Sequence, residues 1–119
     1  MQYMFLIYYD EKSLSEAEFS QCYAESVAYA AELHASGKHV LAAPLHPTLT
    51  ATSVRSREGK RLVTDGPFAE TREQLGGLFM VDATNLDEAV GIAEKIPAGR
   101  WGTIEIRPVL ELSESAKLK

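Results

Sequence analysis

The stretch YMFLIYY, Tyr3–Tyr9, decides the fold of this 119-residue chain. It is too short for a helix, and its aromatic and branched side chains favour an extended strand. Successive side chains of a strand point to opposite faces. Here both sets are apolar or aromatic: Tyr3, Phe5, Ile7 and Tyr9 in one set, Met4, Leu6 and Tyr8 in the other. A strand with this pattern is covered on both faces, so its sheet needs packing on each side.

Two helices are predicted from their caps and their apolar spacing. Ser15 and Glu18 form a capping-box pattern at the start of the first helix, and Gly37 is a plausible stop. Asn85 is expected to cap the second helix, and Pro97 to end it. The stripe expected to be buried in the first helix is Phe19, Tyr23, Val27, Ala30 and Leu33. The inward residues expected in the second are Leu86, Ala89 or Val90, Ala93 and Ile96.

Five further strands are predicted, at residues 40–45, 51–56, 61–64, 78–81 and 103–109. The second and third of these flank Glu58-Gly59 and read as a hairpin. The order is then strand, helix, strand, hairpin, strand, helix, strand. This order predicts an α+β fold with a ferredoxin-like antiparallel sheet, two helices on one face and a hairpin insertion.

The face of the sheet without helices is expected to remain apolar. Residues 3–9 and 78–81 are apolar on both faces, while both helices cover the same one. Large exposed apolar patches usually mark an interface, and symmetric dimers are the commonest oligomers. The sequence therefore predicts a homodimer whose two sheets meet face to face.

Length and composition narrow the class of protein. A chain of this length is one domain, predicted over residues 1–112, with a flexible polar tail at 113–119. The net charge of −5 argues against direct nucleic-acid binding, although Arg55, Arg57, Lys60 and Arg61 cluster on the hairpin. The single cysteine, Cys22, can form no intramolecular disulfide. Without a membrane segment or a cleavable leader, the expected location is cytoplasmic.

Three stretches carry a resemblance to a known family. VTDGPFAETREQLGG at residues 63–77, NLDEAVGIAEKIP at 85–97 and GTIEIRPV at 102–109 closely resemble the YCII-related family, in its DGPF-domain branch. The resemblance implies a dimeric α+β barrel built from ferredoxin-like subunits, and an uncharacterised function. Branch members are often encoded beside alternative sigma factors, which is an association rather than a contact.

The acid/base pair proposed for other members of this family does not transfer. In those other members, the pair consists of a His on the first helix and an Asp near the end of the second helix. Aligned segments place Ser26 and Ile96 at those two positions. Neither side chain can do the same proton chemistry.

The DGPF motif and the residues after it supply one set of candidates. Asp65 and Phe68 belong to a turn that is either a rigid corner, with Phe68 at the base of the loop, or the wall of a pocket. Asp65 and Glu70 are candidate catalytic carboxylates. Arg72 either forms a surface ion pair or holds an anionic ligand with its planar guanidinium.

The strands supply the remaining candidates. Glu105 and Arg107 are predicted on the helix-free face, where charges need partners or a polar cavity, and Tyr8 could add a hydroxyl there. His46, at a strand end, is the candidate general base. The histidines match no metal motif, so no metal and no cofactor are expected.

Three functions remain open at this stage. The first is a cofactor-independent acid/base enzyme acting on a small molecule in a polar cavity at the dimer interface. The second is binding of a small molecule in that cavity without chemistry. The third is a regulatory or interaction module associated with a sigma-factor or transcription system.

Overall fold

The order of helices and strands is the predicted one. The computed structural model describes residues 1–111, and the predicted domain end at Leu112 and the predicted tail at 113–119 lie outside them. The elements are β1 Gln2–Tyr9, α1 Glu16–Ala35, β2 His39–Pro44, β3 Thr52–Arg57, β4 Lys60–Asp65, β5 Gln74–Asp82, α2 Leu86–Ala93 and β6 Gly102–Pro108. Short 3-10 turns occupy Thr48–Thr50 and Pro97–Arg100.

Four strands form one antiparallel sheet in the order β2–β5–β1–β6. This is the ferredoxin-like arrangement, because the strands before and after each helix return to the same sheet. The predicted α+β fold class is therefore confirmed. The strands β3 and β4 form a separate two-stranded sheet, the predicted hairpin insertion.

The central strand β1 has the two-faced pattern expected from its sequence. Phe5 pairs with Phe79 on β5 and with Ile106 on β6, and Phe5 is fully buried. Tyr3 and Ile7 share its face and are also buried. The core therefore lies between this face of the sheet and the two helices.

One hydrogen bond ties the helix layer together inside the core. The buried Tyr29 hydroxyl of α1 donates to the Ile92 carbonyl of α2, at 2.7 Å. Buried polar groups need such partners, since an unpaired one costs about 1–3 kcal/mol. Leu33, Ala89 and Ile96 complete the contact between helices and sheet.

The predicted caps are confirmed. The Ser15 side chain accepts from the Glu18 amide at 3.1 Å, and Glu18 accepts from the Ser15 amide at 2.9 Å, which forms a capping box. Gly37 follows the helix with a φ of 79°, a conformation that favours glycine. Asn85 accepts from the Glu88 amide at 3.0 Å and caps α2.

The prediction of a single buried stripe on α1 is wrong. Phe19, Tyr23 and Val27 are 43%, 52% and 53% exposed, and the fully covered residues of this helix are Tyr29 and Leu33. The helix therefore presents two apolar stripes, and the sheet and α2 cover only one of them. On α2, Leu86 and Val90 are exposed, whereas Ala89, Ile92 and Ala93 are buried.

The hairpin projects from the domain, and we call Thr52–Asp65 the arm. Every side chain of β4 and five of the six in β3 are exposed. Glu58 and Gly59 turn the chain with φ angles of 52° and 73°, the positive values that a tight two-residue hairpin turn requires. The radius of gyration is 16.3 Å, against about 13.5 Å for a compact domain of this length.

An ion pair between Lys38, which directly precedes β2, and Glu88 of α2 makes stability dependent on pH. Glu88 accepts from the Thr84 amide at 2.9 Å and from Lys38 Nζ at 3.2 Å, and these bonds lower the pKa of its carboxyl below the ordinary 4.5. The contribution to stability is complete above pH 4.5 and is lost as the pH falls through the lowered native pKa. We expect Glu88→Gln to be less stable than wild type in urea unfolding at pH 7, with the difference shrinking below pH 4.5.

Lys38→Met is the matched variant, because it removes the same ion pair from the other side. It should lose stability over the same pH range. An equal loss for Glu88→Gln at pH 7 and pH 3 would contradict this assignment.

Candidate functional site

A groove lined mainly by apolar side chains lies on the helix side of the sheet, beside α1. Its volume is about 370 Å³. We call it the α1 groove. It is lined by the apolar or aromatic residues Ile7, Tyr9, Leu14, Phe19, Tyr23, Val27, Ala30, Ala42, Ala43, Pro44, Leu78, Phe79, Ala98 and Trp101, with Cys22, Ser26, His39, Gly76 and Gly77. The exposed apolar stripe of α1 thus forms one wall of a groove that is large enough to hold a small molecule.

The glycine pair that follows the DGPF motif forms part of the groove. A Cβ atom on Gly76 would lie 2.5 Å from Tyr9 Cζ and 2.7 Å from its hydroxyl oxygen. A Cβ atom on Gly77 would lie 3.1 Å from the Ala43 carbonyl oxygen. The register of β1 and β5 shifts here, so Gly76 is a bulged residue. Glycine at this point leaves space for the Tyr9 ring in the groove.

Aromatic rings frame the groove. Tyr9 and Phe19 stack edge to face with centroids 6.2 Å apart. Arg100 lies 4.6 Å over the Trp101 ring and donates to Glu25 of α1 at 2.7 Å. This ion pair fixes Trp101 beside the helix, and it also lowers the pKa of the Glu25 carboxyl.

Few titratable groups line the groove, and no Asp, Glu, Lys or Arg is among them. Burial raises the pKa of the Cys22 thiol, which outweighs the opposing effects of the Ser26 hydroxyl and Arg100. Burial also raises the pKa of Tyr9. His39 contributes a buried Nε2 atom that has no hydrogen-bond partner within residues 1–111. At neutral pH both the thiol and the phenol are protonated.

The helix-free face of the sheet is apolar across three strands. Strand pairing places Leu6 opposite Leu78 and Met4 opposite Met80, with Leu41 and Ala43 of β2 beside them. The apolar character expected of this face is therefore present in the protomer.

Three predicted site residues meet at the β6 side of this face. Glu105 pairs with Leu6 and Arg107 with Met4, so both lie on the helix-free face, as the strand parity indicated. Arg107 Nη1 lies 3.6 Å from Glu105 Oε2. Burial and the hydrogen-bonding Glu105 carboxylate raise the pKa of the Tyr8 hydroxyl. Tyr8, Glu105 and Arg107 form what we call the β6 cluster.

The other five predicted residues lie elsewhere, and none of the eight lines the α1 groove. Asp65 ends β4 and is exposed, and His46 is exposed shortly after β2. Arg72 Nε lies 3.6 Å from Asp10 Oδ2 in an exposed ion pair, and Glu70 is exposed nearby in sequence.

Phe68 was expected to fill the base of the DGPF loop. It is instead 77% exposed, with the Arg55 guanidinium 5.1 Å from its ring centroid. Gly66 makes the corner, with a φ of 102° and its amide donating to the Ala51 carbonyl at 2.7 Å. The reading of the motif as a rigid corner fits this geometry, and the site roles of Asp65 and Phe68 stay predictions.

Sequence reasoning missed Phe19 and Tyr23 as groove residues, and for Trp101 it weighed stacking on a ligand but favoured packing. A signal was available: α1 carries apolar side chains on two stripes, one through Phe19 and Tyr23 and one through Tyr29 and Leu33. An amphipathic surface helix needs only one such stripe.

Residues 1–111 contain neither a metal-binding cluster of side chains nor a helix that could span a membrane. Nowhere in that range do three or more His, Cys, Asp or Glu side chains come together as a metal site would require. No helix in the same range has both the length and the apolar character needed to span a membrane.

One known protein family matches this chain over nearly its whole length. Residues 1–113 match the YCII-related domain family. The chain belongs to the YCII-related family. An uncharacterised protein of Rhizobium meliloti (strain 1021) is 35% identical over 114 residues, which cover 92% of each chain. The resemblance seen in the sequence is therefore confirmed for this YCII-related chain.

The two positions at which the family resemblance implies an acid/base pair lie in different environments in this YCII-related protein. Ser26 lines the α1 groove, whereas Ile96 is 1% exposed inside the core. A carboxylate could not occupy the second position without burying a charge. Of the two positions that the family resemblance indicates, only that of Ser26 lines the groove.

Proposed function

We propose that this YCII-related protein is a homodimer that binds a small apolar or aromatic molecule in the α1 groove. The observation that carries the proposal is the groove itself, about 370 Å³ in volume with an almost entirely apolar wall. Ligand pockets of single-molecule size begin at roughly 300 Å³ and are lined mainly by hydrophobic and aromatic side chains.

The chemistry of the wall selects the ligand class. Phe19, Tyr23 and Trp101 offer ring faces and edges, which favour a planar partner. The polar groups in the wall are hydroxyls, one thiol and one imidazole, all able to bond a neutral hydroxyl or carbonyl. A charged ligand would find no counter-ion in this wall, so a neutral molecule fits best.

Binding is favoured over catalysis at this groove. The raised pKa values of Cys22 and Tyr9 leave both groups protonated at neutral pH, so neither is an activated nucleophile or base. Ser26 stands where other members are thought to have a His, and it has no carboxylate partner in the wall.

The homodimer is supported by the helix-free face. Leu6, Leu78, Met4 and Met80 present an apolar surface across the middle of the sheet. A second copy packing sheet on sheet would cover that surface and form the barrel implied by the family resemblance.

The β6 cluster supports a second candidate, a polar cavity at the dimer interface with acid/base chemistry. Its Tyr8, Glu105 and Arg107 would be partly enclosed by a facing sheet, as a polar binding site requires. This second proposal also includes the catalytic candidates Asp65, Glu70 and His46 and the ligand-binding candidates Arg72 and Phe68. A dimer in which Glu105 and Arg107 face open solvent would remove this candidate.

The groove proposal is tested with 1-naphthol, a neutral two-ring probe, and with Trp101, the single tryptophan. We expect saturable quenching of its fluorescence on titration. Phe19→Ala should weaken binding about five- to tenfold, because it removes roughly 1 kcal/mol of apolar contact from the wall.

Leu49→Ala is the control, since Leu49 is an exposed apolar side chain outside the groove. It should bind the probe like wild type. The proposal fails if 1-naphthol does not quench Trp101 saturably, or if the two variants lose the same affinity while both remain folded.

A further inference from the structure

The arm carries apolar surface that nothing in the described chain covers. Val54 and Val63 are directly opposite each other in the hairpin and are 64% and 52% exposed. A two-stranded hairpin by itself is marginally stable in water. An apolar cross-strand pair on such an element indicates a surface that packs against something else.

The charge of the arm complements that of α1. The arm has four basic side chains, Arg55, Arg57, Lys60 and Arg61, against two acidic ones, although the whole chain has a net charge of −5. The helix α1 has four glutamates and no lysine or arginine. Opposite charges of this kind steer two surfaces together and suppress the pairing of like surfaces.

The α1 groove is open on the side where this helix is exposed. Phe19, Tyr23 and Val27 run along the helix and leave apolar surface uncovered. The uncovered apolar surface thus lies on the acidic helix, while the uncovered apolar pair lies on the basic arm.

The root of the arm is fixed within its own protomer. The Thr48 amide donates to Glu11 Oε2 at 2.9 Å, and the Thr48 hydroxyl also donates to this carboxylate. At the other end, the Ser53 hydroxyl donates to the Gly66 carbonyl at 2.8 Å. The bonds to Glu11 tie the segment before the arm to the rest of its own protomer, and the bond from Ser53 to Gly66 closes the base of the hairpin.

We propose that the arm of one copy lies across α1 of a second copy, with Val54 and Val63 over the open side of the α1 groove. The partner then supplies the missing wall of the site. The choice of this groove rests on the proposed function. The contact itself is tested without any ligand, so failure of the contact and failure of ligand binding are distinguishable.

Cys22 makes the test direct, because it is the single cysteine and lines the groove. Val54→Cys adds one thiol to the arm face that the proposal places there. Under mild oxidation we expect this variant to form covalent dimers. Peptide mass spectrometry of mixed light and heavy-isotope chains should show the new thiol joined to Cys22 of another chain.

Thr64→Cys is the matched control, since residue 64 follows Val63 and points to the opposite face of the arm. It should form few covalent dimers, as should wild type and Val54→Cys combined with Cys22→Ser. Far-UV circular dichroism and thermal melting confirm that each variant is folded.

Three results would overturn the proposal. The introduced thiol could join Cys22 of the same chain, which would show that the arm closes on its own groove. It could join only its equivalent in another chain, which would show that two arms meet. Or the folded variant could form no more covalent dimer than Thr64→Cys.

Discussion

Gly102→Ala is expected to destabilise the protein by about 3 kcal/mol, which corresponds to a fall in melting temperature of roughly 10–20 °C. Gly102 begins β6 and pairs with Tyr9 of β1. A Cβ atom here would overlap the Tyr8 carbonyl oxygen and lie 2.9 Å from both the Tyr8 carbonyl carbon and Tyr9 Cα. All three are backbone atoms, so no change of rotamer can relieve the overlap.

The central strand would have to move, and it carries the core residues Phe5 and Ile7. Thermal melting followed by far-UV circular dichroism measures the effect. A loss of this size is a large part of the 5–15 kcal/mol that stabilises a typical domain.

Gly91→Ala is the matched control, because Gly91 lies inside α2 and a Cβ atom there meets nothing within 4 Å. Alanine should stabilise this helix by about 0.5–1 kcal/mol. Equal melting temperatures for the two variants would contradict the close approach of β6 to β1.

Leu6→Glu is expected to convert the proposed homodimer into a monomer, with association weakened at least about 100-fold. Leu6 lies at the middle of the helix-free face, between Leu78 on β5 and Glu105 on β6. The substitution removes roughly 1.5–3 kcal/mol of apolar burial and places a second carboxylate beside Glu105 in the interface. Each 1.4 kcal/mol corresponds to tenfold in affinity, so the combined loss exceeds two decades.

Sedimentation equilibrium over a range of concentrations measures this directly. Leu86→Glu is the control, because Leu86 is exposed on the helix layer and begins α2, where a carboxylate is favourable. It should remain dimeric. A wild-type protein that stays monomeric when concentrated would remove both the homodimer and the interfacial cavity.

The elements themselves could be predicted because their signals are local. The alternation of β1, the capping box of Ser15 and Glu18, and the turn at Glu58-Gly59 each involve residues within a few positions of one another. Strand parity even placed Glu105 and Arg107 correctly on the helix-free face. Their meeting with Tyr8 follows from strand register, which pairs residues about a hundred positions apart.

It could not be predicted in the same way which apolar side chains are covered by other helices or strands. Helical spacing identified Phe19, Tyr23 and Val27 as one apolar stripe, yet they are exposed and form the wall of a groove. Phe68 likewise is a large apolar side chain of the kind that usually lies in a core, yet it is exposed at the surface. Composition shows that a side chain is apolar, but it does not show whether another element lies over it.

The amino-acid sequence by itself determined the order of strands and helices, their caps, the faces of each strand and the family. Only the tertiary structure decided which apolar surfaces stay open. The helix α1 has 20 residues whereas α2 has 8, and the helix layer leaves one side of α1 uncovered. Alternation and capping depend on backbone geometry over a few residues, whereas a groove depends on where distant elements stop.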